Sequence, residues 1–415
     1  MEVELVSIGD ELLLGYTIDT NAAFFAREAA ALGIRVVRRA TVGDGADEIA
    51  AAVKEALVRT GAVITSGGLG PTADDLTKPS IAALFNRGMR LDESIVESLR
   101  ARWKARGWPG ELPQANTTQA MIPEDATILV NRHGSAPGIW LEDDAGRWVA
   151  MLPGVPREFR GMTKDELLPR LLAMGAGGTV VRSRTLRTTG IAESALADKL
   201  GELASDPAGV SLAYLPGWEG VDLRLTVRDM PSAEADVRLA RAAEALRGKV
   251  GQHVYGEDDA DMAVLVLDAL RAHRMRIAVA ESCTGGMLGM RLTAIAGSSD
   301  VVHGGVIAYD NAVKIAQLGV RTETLDAHGA VSEETAREMA SGVRERLGVD
   351  VGVSITGVAG PGGGTPEKPV GTFCVAVDVR GVTRSFRTSG VGDRHEVRQR
   401  ATQAALSMVR VSLEA

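Results

Sequence analysis

The residues best suited to covalent chemistry lie in the last third of the chain. An apolar strand, Arg276–Ala280, runs into the segment Glu-Ser-Cys-Thr-Gly-Gly, and a helix pattern follows it. A serine at such a sharp strand-to-helix turn, here Ser282, is well exposed as a nucleophile. Gly285 and Gly286 would let backbone N–H groups face a substrate oxygen at the start of the helix, as an oxyanion hole requires.

A serine nucleophile needs a base, and none of the scattered histidines suggests itself by motif. Lys314 is the better candidate, because it lies just beyond the predicted strand Gly305–Tyr309. Asn311 is predicted to cap the helix that carries Lys314, which directs the lysine back toward the carboxyl edge of the strand. Burial can lower the pKa of a lysine enough for it to act as a base.

Simpler explanations exist for the same residues. Ser282 and Thr284 could serve only as caps of the following helix, with Lys314 a solvated charge. Cys283 is a rival nucleophile, although a residue adjacent to Ser282 at a turn points in a different direction. Spacing alone therefore leaves capping and catalysis as alternatives.

A second group of candidates follows the predicted strand Val349–Thr356. The chain becomes glycine-rich there, and such a loop can wrap a phosphate or a nucleotide. It lacks the Lys-Ser/Thr pair of a P-loop and no helix follows directly, so a flexible surface loop is the alternative. Arg394, next to the predicted helix cap Asp393, could hold a phosphate or merely begin a charged helix. The candidate residues of the loop are Thr356, Gly357, Gly360, Gly362, Gly363 and Gly364.

Polar and glycine residues also gather after two strands of the first segment. The carboxyl ends of parallel strands are the usual ligand edge of an open sheet. Glycine amides and threonine hydroxyls could hold phosphates there, and the carboxylates Asp10, Asp74 and Asp75 could hold Mg²⁺, which prefers carboxylates together with substrate phosphates. Turn chemistry and helix capping are the alternative. The candidate residues are Asp10, Glu11, Asn21, Gly67, Gly68, Gly70, Thr72, Asp74, Asp75 and Thr77.

These candidates depend on strands that alternate with helices. In the first segment the predicted strands are Val3–Ile8, Ile34–Arg38 and Ala62–Thr65, which indicates an α/β fold with a parallel sheet covered on both faces. A hairpin of Gly138–Glu142 and Arg147–Leu152 follows. The last segment alternates in the same way and is also predicted to be α/β.

A smaller segment with the order β-α-β-β-α lies between them, as expected of a small α+β domain. Its turn Gly217–Gly220 matches the GxxG that clamps nucleic acid in KH domains. The turn joins two predicted strands and contains an acid, so a hairpin turn is the favoured interpretation. We predict domains at 1–174, 175–256 and 257–415.

Composition and net charge exclude several functional classes for this chain. The chain has 415 residues, 45% of them hydrophobic, which is enough for several aliphatic cores. A net charge of −8 argues against a general nucleic-acid surface, because phosphate binding usually leaves a basic excess. Cys283 and Cys374 cannot make a disulfide framework and suggest a reducing compartment. The start lacks the features of a signal peptide, and no apolar run approaches the ~18 residues of a membrane helix. We expect a cytoplasmic protein with no membrane partner.

The last segment resembles the C-terminal family of the competence/damage-inducible protein CinA, the nicotinamide-nucleotide amidases. The resemblance rests on AESCTGG at 280–286, GGVIAYDNAVK at 304–314, ITGVAGPGGGTPEKPVGT at 355–372 and GDR at 392–394. It implies hydrolysis of the carboxamide of nicotinamide mononucleotide to nicotinate mononucleotide and ammonia, with no cofactor.

The family's nucleophile and base map to Ser282 and Lys314, with Tyr309 as a further catalytic candidate beside them. Asp310 stands where the family usually has a small residue. The implied substrate-binding residues are Thr284, Gly285, Gly286, the glycine loop and Arg394.

The first segment resembles the molybdopterin-binding-like N-terminal domain of CinA. The motifs are IGDELLLG at 8–15, DTN at 19–21, SGGLGPTADDLT at 66–77, GSAPG at 134–138 and LPGVPREF at 152–159. In CinA proteins this implies an ADP-ribose pyrophosphatase that uses Mg²⁺ or a similar divalent cation and yields AMP and ribose 5-phosphate. Fold relatives bind molybdopterin instead. The middle segment resembles a KH-type connector.

The leading prediction is therefore a bifunctional enzyme of pyridine-nucleotide recycling, and the family suggests a homodimer. One alternative is a non-catalytic protein that acts in competence or DNA damage, which would need a basic groove or a partner surface. Another keeps the amidase and makes the N-terminal domain a vestigial pterin-binding-like scaffold.

Overall fold

The first segment forms a six-stranded main sheet with helices on both faces, and two short strands, Met89–Leu91 and Met121–Pro123, pair separately as a two-stranded antiparallel sheet. The computed structural model describes residues 1–72, 74–175, 178–205, 207 and 209–414. The strands of this segment are Glu2–Ile8 (β1), Arg35–Val42 (β2), Ala62–Ser66 (β3), Met89–Leu91 (β4), Met121–Pro123 (β5), Thr127–Leu129 (β6), Gly138–Glu142 (β7) and Trp148–Leu152 (β8). Its helices are Asp10–Leu13 (α1), Thr20–Ala31 (α2), Ala46–Thr60 (α3), Thr77–Leu84 (α4), Glu93–Ala105 (α5), Gln114–Thr117 (α6), Pro156–Met162 (α7) and Leu168–Ala173 (α8).

The strand order of this sheet is β2-β1-β3-β8-β7-β6. The first four of these strands are parallel, whereas β7 and β6 are antiparallel to their neighbours. The sheet is therefore mixed rather than purely parallel, because the predicted hairpin adds an antiparallel edge. All residues of β3 and β8 are buried, and apolar clusters around Phe25 on one face and Ile49 on the other cover the sheet.

The middle segment has the predicted order β-α-β-β-α and one further strand. Its elements are Thr179–Thr188 (β9), Glu193–Leu200 (α9), Ser211–Pro216 (β10), Val221–Pro231 (β11), Ser232–Val250 (α10) and Val254–Glu257 (β12). The sheet order is β10-β11-β9-β12. The fourth strand, β12, was not predicted and spans the predicted boundary between residues 256 and 257.

The GxxG turn of this segment is a hairpin turn, as predicted. It joins β10 to β11, and the N–H of Gly217 donates to the carbonyl of Gly220 at 2.8 Å. The carboxylate of Glu219 pairs with Arg187 and with Arg291, and Arg291 also lies 5.2 Å from the ring of Trp218. The side chains of the turn are thus engaged inside the protein.

The last segment alternates strands and helices around a five-stranded sheet. Its strands are Ile277–Glu281 (β13), Val302–Ile307 (β14), Val351–Gly357 (β15), Thr372–Val379 (β16) and Val382–Ser389 (β17). Its helices are Met262–His273 (α11), Met287–Thr293 (α12), Asn311–Leu318 (α13), Thr322–His328 (α14), Glu333–Leu347 (α15) and Arg394–Glu414 (α16).

The order β14-β13-β15-β16-β17 places β13 inside the sheet. It is parallel to β14 and β15, and all five of its residues are buried. The carboxyl ends of these three strands therefore meet at one edge. The largest apolar cluster packs α11 and α16 against one face of the sheet.

The chain packs as two compact units. One comprises Met1–Arg182 with Val227–Asp236, and the other comprises Ser183–Thr226 with Val237–Ala415. Across the described part of the chain, the helices are too short or too polar to cross a membrane.

Candidate active sites

Ser282 lies at the carboxyl end of β13, between the ends of two neighbouring strands. Its N–H donates to the carbonyl of Ile355 on β15 at 2.9 Å, and the preceding carbonyl, of Glu281, accepts from the N–H of Ala308 just beyond β14 at 2.7 Å. The backbone on both sides of the serine is thus fixed by the sheet. Ser282 is only 8% exposed, so the prediction of a well-exposed serine is wrong: the bonds to both neighbouring strand ends hold the residue within the edge of the sheet.

The turn after the serine is held by a buried carboxylate that the sequence motif did not reveal. Glu281 is 1% exposed, and its side chain accepts from the N–H groups of Gly286 at 3.0 Å, Leu288 at 3.1 Å and Gly289 at 2.8 Å. A carboxylate at a helix N-terminus satisfies amides that have no partner within the helix, and its charge is favourable there. Glu281 therefore joins the end of β13 to the start of α12.

These bonds change the expected source of an oxyanion hole. Gly286 donates to Glu281, and Gly285 donates to the carbonyl of Ser282 at 3.1 Å. Both glycine amides predicted to face a substrate are therefore already paired. Within the described residues the N–H groups of Cys283 and Thr284 donate to no carbonyl or side chain of another residue, and the hydroxyl of Thr284 is buried without a partner.

Lys314 is buried beside the same edge. It is 1% exposed, and its Nζ donates to the carbonyls of Ala308 at 2.9 Å and Tyr309 at 3.2 Å. Burial lowers the pKa of Lys314, while the charges of Asp310 and Cys283 act in the opposite direction. A neutral amine that donates two N–H groups to these carbonyls keeps its lone pair free.

The helix that carries Lys314 begins differently from the prediction. The side chain of Asp310, not Asn311, caps it by accepting from the N–H of Ala312 at 2.7 Å. The preceding strand ends at Ile307, so Ala308 and Tyr309 form the turn whose carbonyls hold the lysine. No hydrogen bond between Ser282 and Lys314 occurs among the described residues; the two are linked through the peptide groups of Ala308.

Cys283 is poorly suited to be the nucleophile. It is 6% exposed, and burial raises the pKa of its thiol to about 12. The reactive form of cysteine is the thiolate, which such an environment disfavours. Cys283 therefore packs as a small apolar residue.

Two arginines of α16 form hydrogen bonds to the loops that surround Ser282 and Lys314. Arg394 donates to the carbonyl of Gly360 at 2.7 Å and to the hydroxyl of Tyr309 at 2.9 Å. Arg398, which was not predicted, donates twice to the carbonyl of Thr284, at 2.6 and 3.2 Å. Residues four apart share one helix face, and this spacing after Arg394 was the signal available in the sequence.

A surface cavity of 690 Å³ lies at this helix end. Its lining includes Gly360, Arg394 and Arg398. Asp393 caps α16 as predicted, since its carboxylate accepts from the N–H groups of the second and third residues after it. Thr356 is buried, and its hydroxyl donates to the carbonyl of Ala330 at 2.7 Å. The other predicted glycines of the loop do not line the cavity: Gly357, Gly362, Gly363 and Gly364.

The first segment has a cavity of 590 Å³ at the carboxyl ends of β1 and β3. Asn21 is buried at its base and donates to the hydroxyl of Ser66 at 2.9 Å and the carbonyl of Gly154 at 2.7 Å. Of the predicted residues, those that line the cavity are Glu11, Asn21, Gly67, Gly68, Gly70, Asp74 and Asp75.

The remaining predicted residues serve the loop itself or face elsewhere. The hydroxyl of Thr77 is buried and donates to the carbonyl of Gly67 at 3.0 Å, and Thr72 donates to Asp75. Asp10 does not line the cavity, because its carboxylate accepts from the N–H of Asp44 at 3.4 Å.

The three predicted metal ligands do not form a preassembled cluster, and of the three only Asp74 is both exposed and part of the cavity lining. Asp75 is engaged by the N–H of Gly70 at 2.7 Å and by both donors of Thr72, whereas Asp74 is exposed in the cavity. Among the residues that the structure describes, no group of three or more His, Cys, Asp or Glu side chains is arranged to hold a metal. This donor set fits Mg²⁺, which is commonly bound through one or two carboxylates and substrate phosphates.

Three family models match this chain. They are the CinA C-terminal domain over residues 259–413, the Probable molybdopterin binding domain over 4–173 and the Damage-inducible protein CinA KH domain over 183–256. The CinA-like protein of Gemmatimonas aurantiaca is 62% identical over 411 residues, which cover 99% of this chain and 96% of the relative. That of Salinibacter ruber is 43% identical over 415 residues and matches over the full length of both chains.

A solved structure is similar to part of this chain. The crystal structure of the competence damage-inducible protein A from Klebsiella pneumoniae is 37% identical and covers 37% of this chain and 95% of its own, with a TM-score of 0.36. The fold and the domain matches define a mixed α/β chain with a molybdopterin-binding-like domain, a KH-like domain and a CinA C-terminal domain. The chain belongs to the CinA family of competence/damage-inducible proteins.

Proposed function

We propose that the C-terminal domain hydrolyses nicotinamide mononucleotide to nicotinate mononucleotide and ammonia, with Ser282 as nucleophile and Lys314 as base. One observation carries this proposal above the others. A buried lysine, whose pKa is lowered by burial, is held by the carbonyls of Ala308 and Tyr309 at the strand end beside the serine. A lysine used only for solubility would extend its ammonium group into water.

In the first half of the reaction, neutral Lys314 takes the proton of the Ser282 hydroxyl, and the oxygen attacks the carboxamide carbon. The negative charge that develops on the carbonyl oxygen is stabilised by the unpaired N–H groups of Cys283 and Thr284. Lys314 then gives its proton to the departing nitrogen, the C–N bond breaks, and ammonia leaves an ester on Ser282.

In the second half, water loses a proton to Lys314 and attacks the ester carbonyl. The bond to the Ser282 oxygen breaks, that oxygen takes the proton back from Lys314, and the carboxylate product leaves. Arg394 and Arg398, at the cavity beside Gly360, supply positive charge for the substrate phosphate.

The test is ammonia release from nicotinamide mononucleotide by the full chain. Ser282→Ala and Lys314→Ala should each lower kcat by at least roughly 100-fold. Lys249→Ala, which changes an exposed lysine of α10, is the matched control and should keep the wild-type rate. Cys283→Ala removes the thiol but keeps the backbone N–H of the proposed oxyanion hole, so it should lower the rate far less than Ser282→Ala. Wild-type protein without amidase activity, or full activity in Ser282→Ala, would refute the assignment.

For the N-terminal domain we propose hydrolysis of ADP-ribose to AMP and ribose 5-phosphate. The supporting observation is a cavity in which glycine amides of the Gly67–Gly70 loop lie beside the exposed carboxylate of Asp74. Asp74, with substrate phosphates, would hold a divalent cation, which when bound neutralises phosphate charge. Asn21 and the loop glycines would orient the pyrophosphate.

AMP formation should be measured with and without Mg²⁺. Asp74→Asn should lower the Mg²⁺-dependent rate by roughly 100-fold. Asp144→Asn, in an exposed turn of the same domain, should leave it unchanged. Absence of hydrolysis, together with tight binding of a pterin, would favour the scaffold alternative instead. The DNA-binding alternative is disfavoured by the net charge of −8.

A further inference from the structure

A second large cavity lies in the unit of Ser183–Thr226 with Val237–Ala415 and shares no lining residue with the cavities of the two proposed active sites. It has a volume of 1000 Å³ and is lined by the GxxG turn, by β17 and by one face of α16. This volume is at the upper end of the range for small-molecule sites, roughly 300–1,000 Å³. We call it the α16 cavity and define it by Trp218, Arg384, Phe386, Arg400 and Gln403.

Two arginines, Arg384 and Arg400, line the α16 cavity. Arg384 lies on β17 and Arg400 on α16, and neither forms an ion pair with an acid in the described parts of the chain. The Nε of Arg400 is buried and, among the residues that the structure describes, has no hydrogen-bond partner. The lining contains two acids: Glu219, which pairs with Arg187 and Arg291, and Glu193, which is exposed and forms no ion pair with Arg384 or Arg400 among the described residues. The two guanidinium groups are therefore available to an anion.

An unsatisfied amide lies in the same lining. Gln403 is 2% exposed, and its Oε1 accepts from Arg291 at 2.8 Å. Its Nε2 is buried and has no partner among the described residues. A buried donor without an acceptor is costly, so an oxygen-rich ligand would remove that cost.

Two aromatic side chains, Trp218 and Phe386, form another part of the lining. Arg384 and Phe386 are two residues apart on β17, so both side chains lie on the same face of the sheet. Trp218 of the GxxG turn also lines the cavity. A charged end beside an aromatic surface suits a ligand that combines an anion with a flat ring.

We propose that the α16 cavity binds a phosphorylated aromatic small molecule of the nucleotide class. Its phosphate would be held by Arg384, Arg400 and the amide of Gln403, and its ring would lie against Trp218 and Phe386. This site does not depend on either proposed activity.

The test uses AMP as the probe and the full-length chain. Hydrogen–deuterium exchange should show AMP-dependent protection of peptides that cover 216–221 and 382–390. The AMP concentration that half-protects these peptides should rise by at least ~10-fold in Arg384→Gln combined with Arg400→Gln. This readout reports the α16 cavity alone, whereas calorimetry would also register AMP at the proposed N-terminal site. Arg346→Gln, which makes the same change at an exposed position, is the control and should bind AMP like the wild type. Adenosine, which lacks the phosphate, should bind at least ~10-fold more weakly than AMP.

Two results would overturn the proposal. One is protection by AMP that is confined to segments outside the α16 cavity. The other is an unchanged AMP concentration for half-protection of these peptides in the double variant, while its exchange pattern without ligand matches that of the wild type and shows that the variant is folded.

Discussion

The carboxylate of Glu281 allows a quantitative test of how the nucleophile turn is held. It is 1% exposed and accepts the N–H groups of Gly286, Leu288 and Gly289. One oxygen serves Gly286 and Leu288, and the other serves Gly289. The substitution Glu281→Gln keeps the size and shape of the side chain but replaces one acceptor by an NH₂ group.

The expected cost follows from these contacts. If the glutamine oxygen keeps the bonds to Gly286 and Leu288, its NH₂ group meets the N–H of Gly289. That N–H then loses its acceptor inside the protein, at about 1–3 kcal/mol, and the two remaining bonds lose their charge assistance, at about 1 kcal/mol each. The free energy of opening the turn should therefore fall by about 3–5 kcal/mol.

Hydrogen exchange of the full chain measures this opening directly. Amides of residues 286–289 should exchange about 100-fold faster, or more, in Glu281→Gln than in the wild type, because each 1.4 kcal/mol is about tenfold. Glu345→Gln is the control, since that carboxylate is 68% exposed and pairs with Arg344 at the surface. Exchange in Glu281→Gln within about threefold of the wild type would refute the reasoning.

Three further predictions follow from buried groups whose pKa values are shifted. Burial lowers the pKa of Lys314, so the initial rate of ammonia release should rise with pH as this lysine loses its proton. In Lys314→Arg the initial rate should be low and should not rise with pH, because arginine stays protonated. Burial lowers the pKa of Lys78 from 10.5 to about 8, so between these pH values the unfolded chain binds more protons and the contribution of Lys78 to stability should rise with pH. Urea unfolding of Lys78→Met should lack that rise, and an unchanged pH dependence would contradict the shift. Burial raises the pKa of the Cys283 thiol to about 12. Iodoacetamide at pH 8.5 should therefore label Cys283 in the native protein at least ~100-fold more slowly than in the unfolded chain, as measured by mass spectrometry. Fast labelling of Cys283 in the native protein would contradict this burial.

The fold class could be predicted because the strands are short, apolar and separated by helix patterns. The parallel pairing of β13 with β14 and β15 brings the ends of those strands to one edge, as the alternation of elements implied. This pairing is what brings the segments of Ser282 and Lys314 together. The antiparallel edge of the first sheet came from a hairpin that was itself predicted.

The direction of individual hydrogen bonds could not be predicted in the same way. The partners of Glu281 lie five to eight residues further on, across a turn in which Gly285 and Gly286 have φ values of 58° and 97°. Nothing in the motif distinguishes amides that face a substrate from amides that face the preceding glutamate. Asp75 is a similar case, because its carboxylate turns back onto its own loop rather than toward the cavity.

One backbone residue, Ala308, links the segments of Ser282 and Lys314 directly. The N–H of Ala308 donates to the carbonyl of Glu281, and the carbonyl of Ala308 accepts from Lys314. Both bonds are made by main-chain groups of a fully buried residue, so the strand pairing that places the serine also places the base. Substitutions on the outer surface of α12 or α13 leave these groups in place. A change that shifts the end of β14 against β13 moves the lysine relative to the serine, and a displacement of about 1 Å is enough to cost a reaction roughly 100-fold.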